Sequence, residues 1–278
     1  MAENNFSLQK TLTMLLDEKK YHSLRDILST MNPADIAAIF DDLDQACLPL
    51  LFRLLPKELA AETFVEMEPE AQELLIRGFS DSELKEVIDE LYVDDAVDIV
   101  EEMPANVVQR ILSQAEPDMR KQINEILRYP EDSAGSIMTT EYVSLRPNMT
   151  VEEAILRIRR TGIDKETIYT CYVTRGHKLI GMVTVKTLLL CEDDDTLIED
   201  IMQEHVITVN TTDDQEVVAQ MFSKYDFLAL PVVDTENRLV GIVTFDDAWD
   251  VMEDEATEDM EKMAAMLPSE HPYMRSTP

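Results

Sequence analysis

Cysteine is scarce in this sequence. The three cysteines among its 278 residues are Cys47, Cys171 and Cys191. An odd number without a C-x-x-C pair argues against a disulfide framework and against a cysteine-ligated zinc site, so we expect thiols in a reducing compartment. The four histidines stand apart along the chain. A lone histidine is more often a surface residue than a metal ligand, because zinc sites combine several His and Cys ligands.

Positively charged residues are few as well. The chain has 24 Lys plus Arg against 57 Asp plus Glu, which gives a formal net charge of -33 and an isoelectric point near 4.2. Nucleic acid and anionic lipid headgroups are therefore poor partners, because binding to either needs a basic patch. Acids that serve only solubility are usually interleaved with bases, whereas these acids cluster. Cations are their natural counterpart.

Long apolar runs and catalytic motifs are also lacking. No segment reaches the ~20 apolar residues that a membrane helix needs, and the N-terminus lacks the charged-then-apolar pattern of a signal peptide. We therefore expect a soluble, cytoplasmic chain. The sequence has no glycine-rich phosphate loop, no G-x-S-x-G motif, and no cysteine or serine near a plausible base, so we predict that it is not an enzyme.

The N-terminal half has the pattern of an all-α domain. Residues 1–130 contain one glycine, Gly78, and almost no strand signal. Apolar residues recur at helical spacing between helix-start signals, and proline fits the first turn of a helix. Such short helices cannot each bury a face alone, so we predict an all-α superhelical domain over residues 1–130. The predicted helix starts are Pro33, Pro56, Pro69, Ser80, Val93, Pro104 and Pro117.

The C-terminal half contains a duplicated α+β unit. Leu179–Val185 reads LIGMVTV and Leu239–Phe245 reads LVGIVTF. Each copy follows the order strand, helix, strand, strand, helix, which indicates a tandem duplication. We place the copies at 131–196 and 197–255, followed by an acidic connecting helix over 256–278. Capping boxes predict the first helix start of each copy. They pair Thr150 with Glu153 and Thr212 with Gln215.

Two groups of carboxylates indicate cation binding. Asp94 and Asp98, four residues apart, share one face of a predicted helix, although Asp94 or Asp95 near a helix N-terminus also fits a capping role. Residues 246–261 hold nine acids in sixteen positions without one base. Mg²⁺ takes oxygen ligands and is usually held by one or two carboxylates with several waters. Carboxylate density does not separate Mg²⁺ from Mn²⁺, which takes the same hard ligands.

The duplicated unit, with its L-x-G-x-V-[ST] strand, resembles a tandem CBS-domain pair. A CBS pair behind an α-superhelical domain, with acids at 94–98 and at 246–247, resembles the cytosolic part of the MgtE family of magnesium transporters or channels. The resemblance covers about residues 30 to 265. It implies a regulatory region on the cytoplasmic side of the cell membrane, a homodimer formed through the CBS domains, and a membrane pore domain that is absent from this chain.

The same resemblance implies a mechanism. Mg²⁺ bridges acidic faces of the N-terminal and CBS domains and favours a closed state, in which the helix after the second copy restrains the pore. At low cation concentration the carboxylates repel one another. By position, the acids that match the family's pattern are Asp94, Asp98, Glu216, Asp226, Asp247, Asp250, Glu255, Glu258 and Asp259.

Nucleotide sensing is the alternative function. CBS pairs commonly bind adenosine nucleotides through an [ST]-x-x-[DN] pattern at the start of their last helix. The second copy keeps this pattern as Thr244 and Asp247, whereas Thr187 replaces the acid in the first copy. We therefore expect any ATP binding to be weak or confined to the side built from Thr244 and Asp247.

Apolar helix faces in both copies are candidates for the dimer contact. One face lies on the first helix of each copy, and the same stripes also fit a core role. The residues are Ala154, Leu156 and Ile158 in the first copy, and Val217, Met221 and Phe222 in the second.

Overall fold

A computed structural model describes the backbone of residues 2–41 and 43–264. Side chains are described over the same ranges apart from residues 2–7, 9, 258, 259 and 261–264. The chain divides into two compact units, Met1–Ile123 and Asn124–Pro278. The described part of the first unit is helical, and the second unit contains strands and helices.

The first unit is built from short helices, and its last helix continues into the second unit. Every start predicted from sequence marks a helix: Pro33, Pro69, Val93 and Pro117 are first residues, whereas Pro56, Ser80 and Pro104 immediately precede one. One short helix, α4, is an unbroken apolar run without helical period. The helices are α1 (Ala2–Asp17), α2 (Tyr21–Leu28), α3 (Pro33–Asp41), α4 (Leu48–Phe52), α5 (Lys57–Val65), α6 (Pro69–Gly78), α7 (Asp81–Ile88), α8 (Val93–Glu102), α9 (Ala105–Gln114) and α10 (Pro117–Ile126).

Packing in the middle of this unit joins alternate helices. Helix α3 packs on α5, α5 on α7, and α7 on α9. Phe52, Phe64 and Phe79 meet between them, with ring centroids 6.1 Å apart for Phe52 and Phe64 and 5.4 Å for Phe52 and Phe79. Because each short helix buries its apolar side only against its neighbours, the unit has the packing of a helical stack.

Polar side chains fix where these helices begin and end. Ser80 and Glu83 form a reciprocal capping box at the start of α7, in which the backbone N–H of Ser80 donates to Glu83 over 2.7 Å. Glu83 also accepts from Arg53 Nε over 2.6 Å, which joins α7 to the end of α4. At the end of α6, the Arg110 guanidinium donates to the carbonyl oxygen of Phe79 over 2.6 Å. These bonds satisfy backbone groups that a helix end leaves open.

The second unit contains two copies of the predicted strand and helix order. Each copy forms a three-stranded sheet in the described residues, with its first pair of strands parallel and its second pair antiparallel. The elements are β1 (Tyr142–Leu145), α11 (Val151–Thr161), β2 (Thr167–Arg175), β3 (Lys178–Thr184), α12 (Val185–Leu189), α13 (Ile198–Ile201), β4 (Val209–Asn210), α14 (Gln215–Tyr225), β5 (Ala229–Val233), β6 (Leu239–Thr244) and α15 (Phe245–Ala264).

Strand register is the same in both sheets. The glycine of the repeated motif lies opposite a valine in each: Gly181 pairs with Val173, and Gly241 with Val232. The register shifts directly after both valines. Matching bulges at matching positions are the structural counterpart of the repeated sequence, because a bulge is a defined feature of a strand pair.

The first segment of each copy, before its sheet, packs on the other copy. Thr139, before the first copy's sheet, exchanges two backbone hydrogen bonds of 2.8 and 2.9 Å with Ile242 in β6. Gln203, before the second copy's sheet, exchanges bonds of 2.8 and 3.0 Å with Met182 in β3. Apolar side chains make the same exchange: Met138, from the first copy, packs in the second copy's core around β5 and β6. The two copies therefore stabilise each other.

A shared core lies between the two sheets. Tyr172 from β2 packs there with Leu239 and Ile242 from β6, and all three are buried. The Tyr142 and Tyr172 rings meet edge to face at 6.0 Å. This core, together with the exchanged segments, makes the duplicated half one unit rather than two independent ones.

One helix cap differs from the sequence predictions. The capping box of Thr150 and Glu153 at α11 is confirmed, but the predicted box of Thr212 and Gln215 is wrong. Helix α14 begins at Gln215, and Asp214 is its cap, accepting from the Glu216 N–H over 2.9 Å. Helix α15 runs without a break from the end of β6 to Ala264, and the predicted connecting helix beyond that residue lies outside the described residues.

Candidate functional site

The acids of the first unit lie on α8. Tyr92 occupies the N-cap position, so Asp94 and Asp95 lie in the first helical turn, where the helix dipole favours negative charge. Asp94 is only 6% exposed, whereas Asp98 is exposed. The two carboxylates predicted to share one face therefore have different surroundings. Asp98 lies beyond the first turn, so the dipole does not explain it.

The acids near the two ends of α14 have local roles in that helix. Glu216 is exposed and accepts from Gln220 Nε2 over 3.0 Å. Asp226 ends the helix in the left-handed conformation, with φ of 53°. Asp and Asn adopt this conformation more readily than most other residues. Both residues were predicted as metal ligands, and both have side chains within reach of solvent.

Helix α15 carries most of the predicted ligands. Asp247 accepts from the backbone N–H of Thr244 over 3.3 Å and from the Thr244 hydroxyl, so the predicted nucleotide pair is bonded to itself at the helix start. Asp250 is exposed and Glu255 is half-buried. The side chains of Glu258 and Asp259 lie outside the described residues.

These surfaces offer carboxylate oxygen without a preformed cage. Within the described residues, no three His, Cys, Asp or Glu side chains are grouped closely enough to hold a metal ion. Calcium normally takes six to eight oxygen ligands, and a structural zinc takes four His or Cys ligands. Mg²⁺ keeps several of its own waters and needs only one or two carboxylates. This donor set is therefore compatible with a hydrated Mg²⁺ ion, and it does not separate Mg²⁺ from Mn²⁺.

A pocket of about 580 Å³ lies at the start of α12 in the first copy. Its lining is mainly apolar, with Leu189, Leu190 and Leu228 beside the Tyr169 ring, which is 66% exposed. Lys186 is the one charged residue in the lining. The sequence did not predict this pocket. The nucleotide pattern requires Asp or Asn at position 187, where this chain has Thr187, and it says nothing about Lys186.

The apolar faces predicted for dimerisation are partly core. Ala154, Ile158 and Phe222 are buried, so that part of the prediction is wrong. Leu156 is 39% exposed and Val217 is 51% exposed. On the second copy, Tyr225 of α14 and Phe245 and Trp249 of α15 are also exposed, and the Phe245 and Trp249 rings lie 6.2 Å apart. Among the described residues, none of the helices combines the length and the hydrophobicity of a membrane-spanning segment.

Comparison with known proteins identifies the family. The model of the MgtE intracellular N domain matches residues 31–132, and the CBS-domain model matches residues 134–192 and 198–248. The solved cytosolic domain of the Mg²⁺ channel MgtE in complex with ATP aligns with a TM-score of 0.82 and 38% identity, over 87% of this chain and 99% of that chain. The chain belongs to the MgtE family. The fold and family predicted from the sequence are confirmed.

Full-length MgtE relatives extend well beyond this chain. Magnesium transporter MgtE of Thermus thermophilus is 39% identical over 264 residues, which are 93% of this chain and 58% of that protein. Magnesium transporter MgtE of Bacillus subtilis is 32% identical over 255 residues, which are 91% of this chain and 56% of that protein. The chain thus spans just over half the length of these relatives. The solved MgtE structure that it matches is a cytosolic domain.

Proposed function

We propose that this chain is the Mg²⁺-sensing regulatory region of a magnesium transporter or channel. The observation that carries the proposal is the near-complete alignment with the cytosolic domain of the Mg²⁺ channel MgtE. The acids on α8, α14 and α15 support it, because their donor set suits a hydrated Mg²⁺ ion. The chain spans just over half the length of its relatives. That Mg²⁺ is the transported ion, and that a membrane domain forms the pore, are therefore parts of the proposal.

Electrostatic repulsion gives the proposed mechanism its direction. Two carboxylates about 4 Å apart repel by about 4 kcal/mol at an effective dielectric near 20. A chain with a formal net charge of -33 therefore resists any arrangement that brings acidic surfaces together. Mg²⁺ bound at those surfaces removes the repulsion and favours a closed state. The closed state restrains the pore through the chain that follows α15.

A charge-matched pair of variants tests the proposal. The test variant carries Asp94→Asn, Asp98→Asn and Asp247→Asn. The control carries Glu58→Gln, Glu62→Gln and Glu192→Gln, three exposed acids outside the predicted site. Both variants lose three negative charges, so general screening affects them equally.

The measurement is the melting temperature as Mg²⁺ is added. A ligand that binds only the folded, closed form at a hundredfold excess over its Kd stabilises that form by about 2.7 kcal/mol. For a chain of this size we expect a rise of roughly 5–10 °C in the wild type and the control, and a clearly smaller rise in the test variant. An equal response of both variants would show that these acids are not the sensor.

ATP binding is a second candidate function, favoured by the pocket at α12. A solved relative is a complex with ATP, and the pocket combines an exposed aromatic ring, Tyr169, with one cation, Lys186. An aromatic face stacks on a base, and a lysine attracts phosphates. The pocket favours the first copy, whereas the sequence pattern favours Thr244 and Asp247 in the second.

Calorimetry with ATP separates the two sides. Lys186→Gln weakens binding if the α12 pocket holds the phosphates, and Lys165→Gln, a lysine outside its lining, serves as the control. Asp247→Asn weakens binding if the second copy is the site, as the sequence predicts. If neither Lys186→Gln nor Asp247→Asn changes the affinity, both placements are wrong.

A homodimer through the CBS domains remains part of the proposal. The exposed apolar residues Val217 on α14 and the adjacent Phe245 and Trp249 on α15 support it, because exposed apolar side chains on packed helices are typical of association surfaces. We expect Val217→Glu with Trp249→Glu to give a monomer in sedimentation experiments. A wild-type monomer at high concentration with saturating Mg²⁺ would contradict it.

A further inference from the structure

A polar pocket of about 560 Å³ lies at the far end of the first copy's sheet. It is lined by the end of β1 and the loop that follows it, by the end of β2 with the turn to β3, and by one side chain each from α11 and α13. Its cationic lining residues are Arg146, Arg157 and Arg175, with His177 beside them. We propose that this pocket binds a phosphoryl group, either as free phosphate or as the phosphate of a small polar molecule.

The pocket is distinct from the one at α12. Along β2, the α12 pocket involves Tyr169 and Thr170, whereas this pocket involves Thr174 and Arg175. Five residues of a strand span about 16 Å, so the two pockets lie at opposite ends of β2. The proposal is independent of the Mg²⁺ sensor and of ATP binding, since it uses none of their residues.

Charge sets the class of ligand. Arg146 and Arg157 form no ion pair within the described residues, although the chain has 57 acids for 24 bases. The one carboxylate in the lining, Glu199, contacts Arg175 over 3.4 Å. Three guanidinium groups and one carboxylate leave a local excess of about two positive charges, and a phosphate monoester carries about -1.5 to -2 at pH 7. In such an acidic protein this excess marks the pocket as an anion site.

The donors also fit a phosphoryl group. Guanidinium presents a planar fork that binds phosphate oxygens in pairs, and all three strong cations in the lining are arginines. Ser144 and Thr174 add hydroxyls that lie 3.0 Å apart and face the same pocket. The lining contains no Phe, Tyr or Trp that a base would stack on. The ligand is therefore recognised by its phosphate rather than by a nucleobase.

Calorimetry with inorganic phosphate tests the pocket on the whole chain, without Mg²⁺ and at fixed ionic strength. The test variant carries Arg146→Gln, in the loop after β1, and Arg157→Gln on α11. The control carries Arg159→Gln and Arg160→Gln, which lie on α11 outside the lining. We expect the wild type and the control to bind phosphate, and the test variant to bind at least tenfold more weakly. Because all four arginines are exposed, we expect each variant to fold.

A second variant makes the test independent of loss of structure. Glu199→Gln removes the only carboxylate of the lining, so phosphate should bind more tightly than to the wild type. Lys186→Gln should leave phosphate binding unchanged, which separates this pocket from the ATP proposal.

Sedimentation with vesicles containing a phosphoinositide distinguishes a lipid headgroup from a free phosphate. No binding up to tens of millimolar phosphate, or equal binding to the test and control variants, would overturn the proposal.

Discussion

Substitution of Gly241 by alanine should damage the contact between the two copies. A Cβ atom at this position would lie 2.6 Å from Met138 Sδ and 2.8 Å from the carbonyl oxygen of Thr139. The methionine side chain can rotate away. The carbonyl oxygen cannot, because it accepts a 2.9 Å hydrogen bond from the Ile242 N–H. The backbone of β6 or of the preceding segment must therefore move.

The expected cost follows from this geometry. Forcing an extra methyl group into a packed site typically costs about 1–3 kcal/mol, and a backbone neighbour places Gly241→Ala toward the upper end. For a unit of this size, each kcal/mol lowers the melting temperature by about 2–4 °C. Gly181→Ala should cost less, because its nearest backbone atom, Gln203 O, lies at 3.1 Å and its closest contact is the flexible Met202.

Gly78→Ala provides the matched control. Nothing lies within 4 Å of a Cβ at Gly78, which ends α6, and alanine is the better helix former. Calorimetric melting curves should show a lower transition temperature for Gly241→Ala, a smaller loss for Gly181→Ala, and no loss for Gly78→Ala. If Gly241→Ala has the same transition temperature as Gly78→Ala, or if Gly181→Ala lowers it more than Gly241→Ala does, the exchanged packing does not hold the copies together.

Three further results are expected. The Tyr172 hydroxyl is fully buried with no hydrogen-bond partner in the described residues. Tyr172→Phe should therefore raise the free energy of unfolding by about 1 kcal/mol in urea titrations. A decrease would contradict this. Tyr142→Phe removes the 3.3 Å hydrogen bond from the Tyr142 hydroxyl to the carbonyl oxygen of Leu239. This change should lower the free energy of unfolding by about 0.5–1.5 kcal/mol, and no change would show that the bond contributes nothing. Hydrogen bonds from Arg53 and then Ser80 lower the pKa of Glu83 from 4.5 to about 2, so its stabilising contribution is present above pH 4.5 and lost as the pH falls through about 2. The stability difference between wild type and Glu83→Gln should shrink over that range, and a constant difference would contradict it.

Features with local causes were predicted well from the sequence. Helix starts at Pro33, Pro69 and Pro117 follow from the missing N–H of proline, and the box of Thr150 with Glu153 follows from two complementary side chains. The cap of α14 was misplaced because three consecutive residues, 212–214, can all cap a helix. Their sequence does not decide among them.

Features with non-local causes were not predicted. Ile137-Met138 and Ile201-Met202 occupy matching positions in the two copies, but the packing of Met138 on Gly241 depends on the fold. The polar pocket joins Ser144, Arg157 and Arg175 from three elements, and no short motif contains them. The acidic clusters were recognised from the sequence, but the burial of Asp94 depends on how α8 packs and was seen only in the structure.

Small-angle scattering with Mg²⁺ and with KCl tests the proposed sensor most directly. Exposed charges are screened by any salt over a Debye length of about 8–10 Å, whereas an ion that binds carboxylates acts in addition to screening. At matched ionic strength, millimolar Mg²⁺ should reduce the radius of gyration clearly more than KCl does. Equal compaction by the two salts would contradict the sensor and leave the acids as a solvated surface.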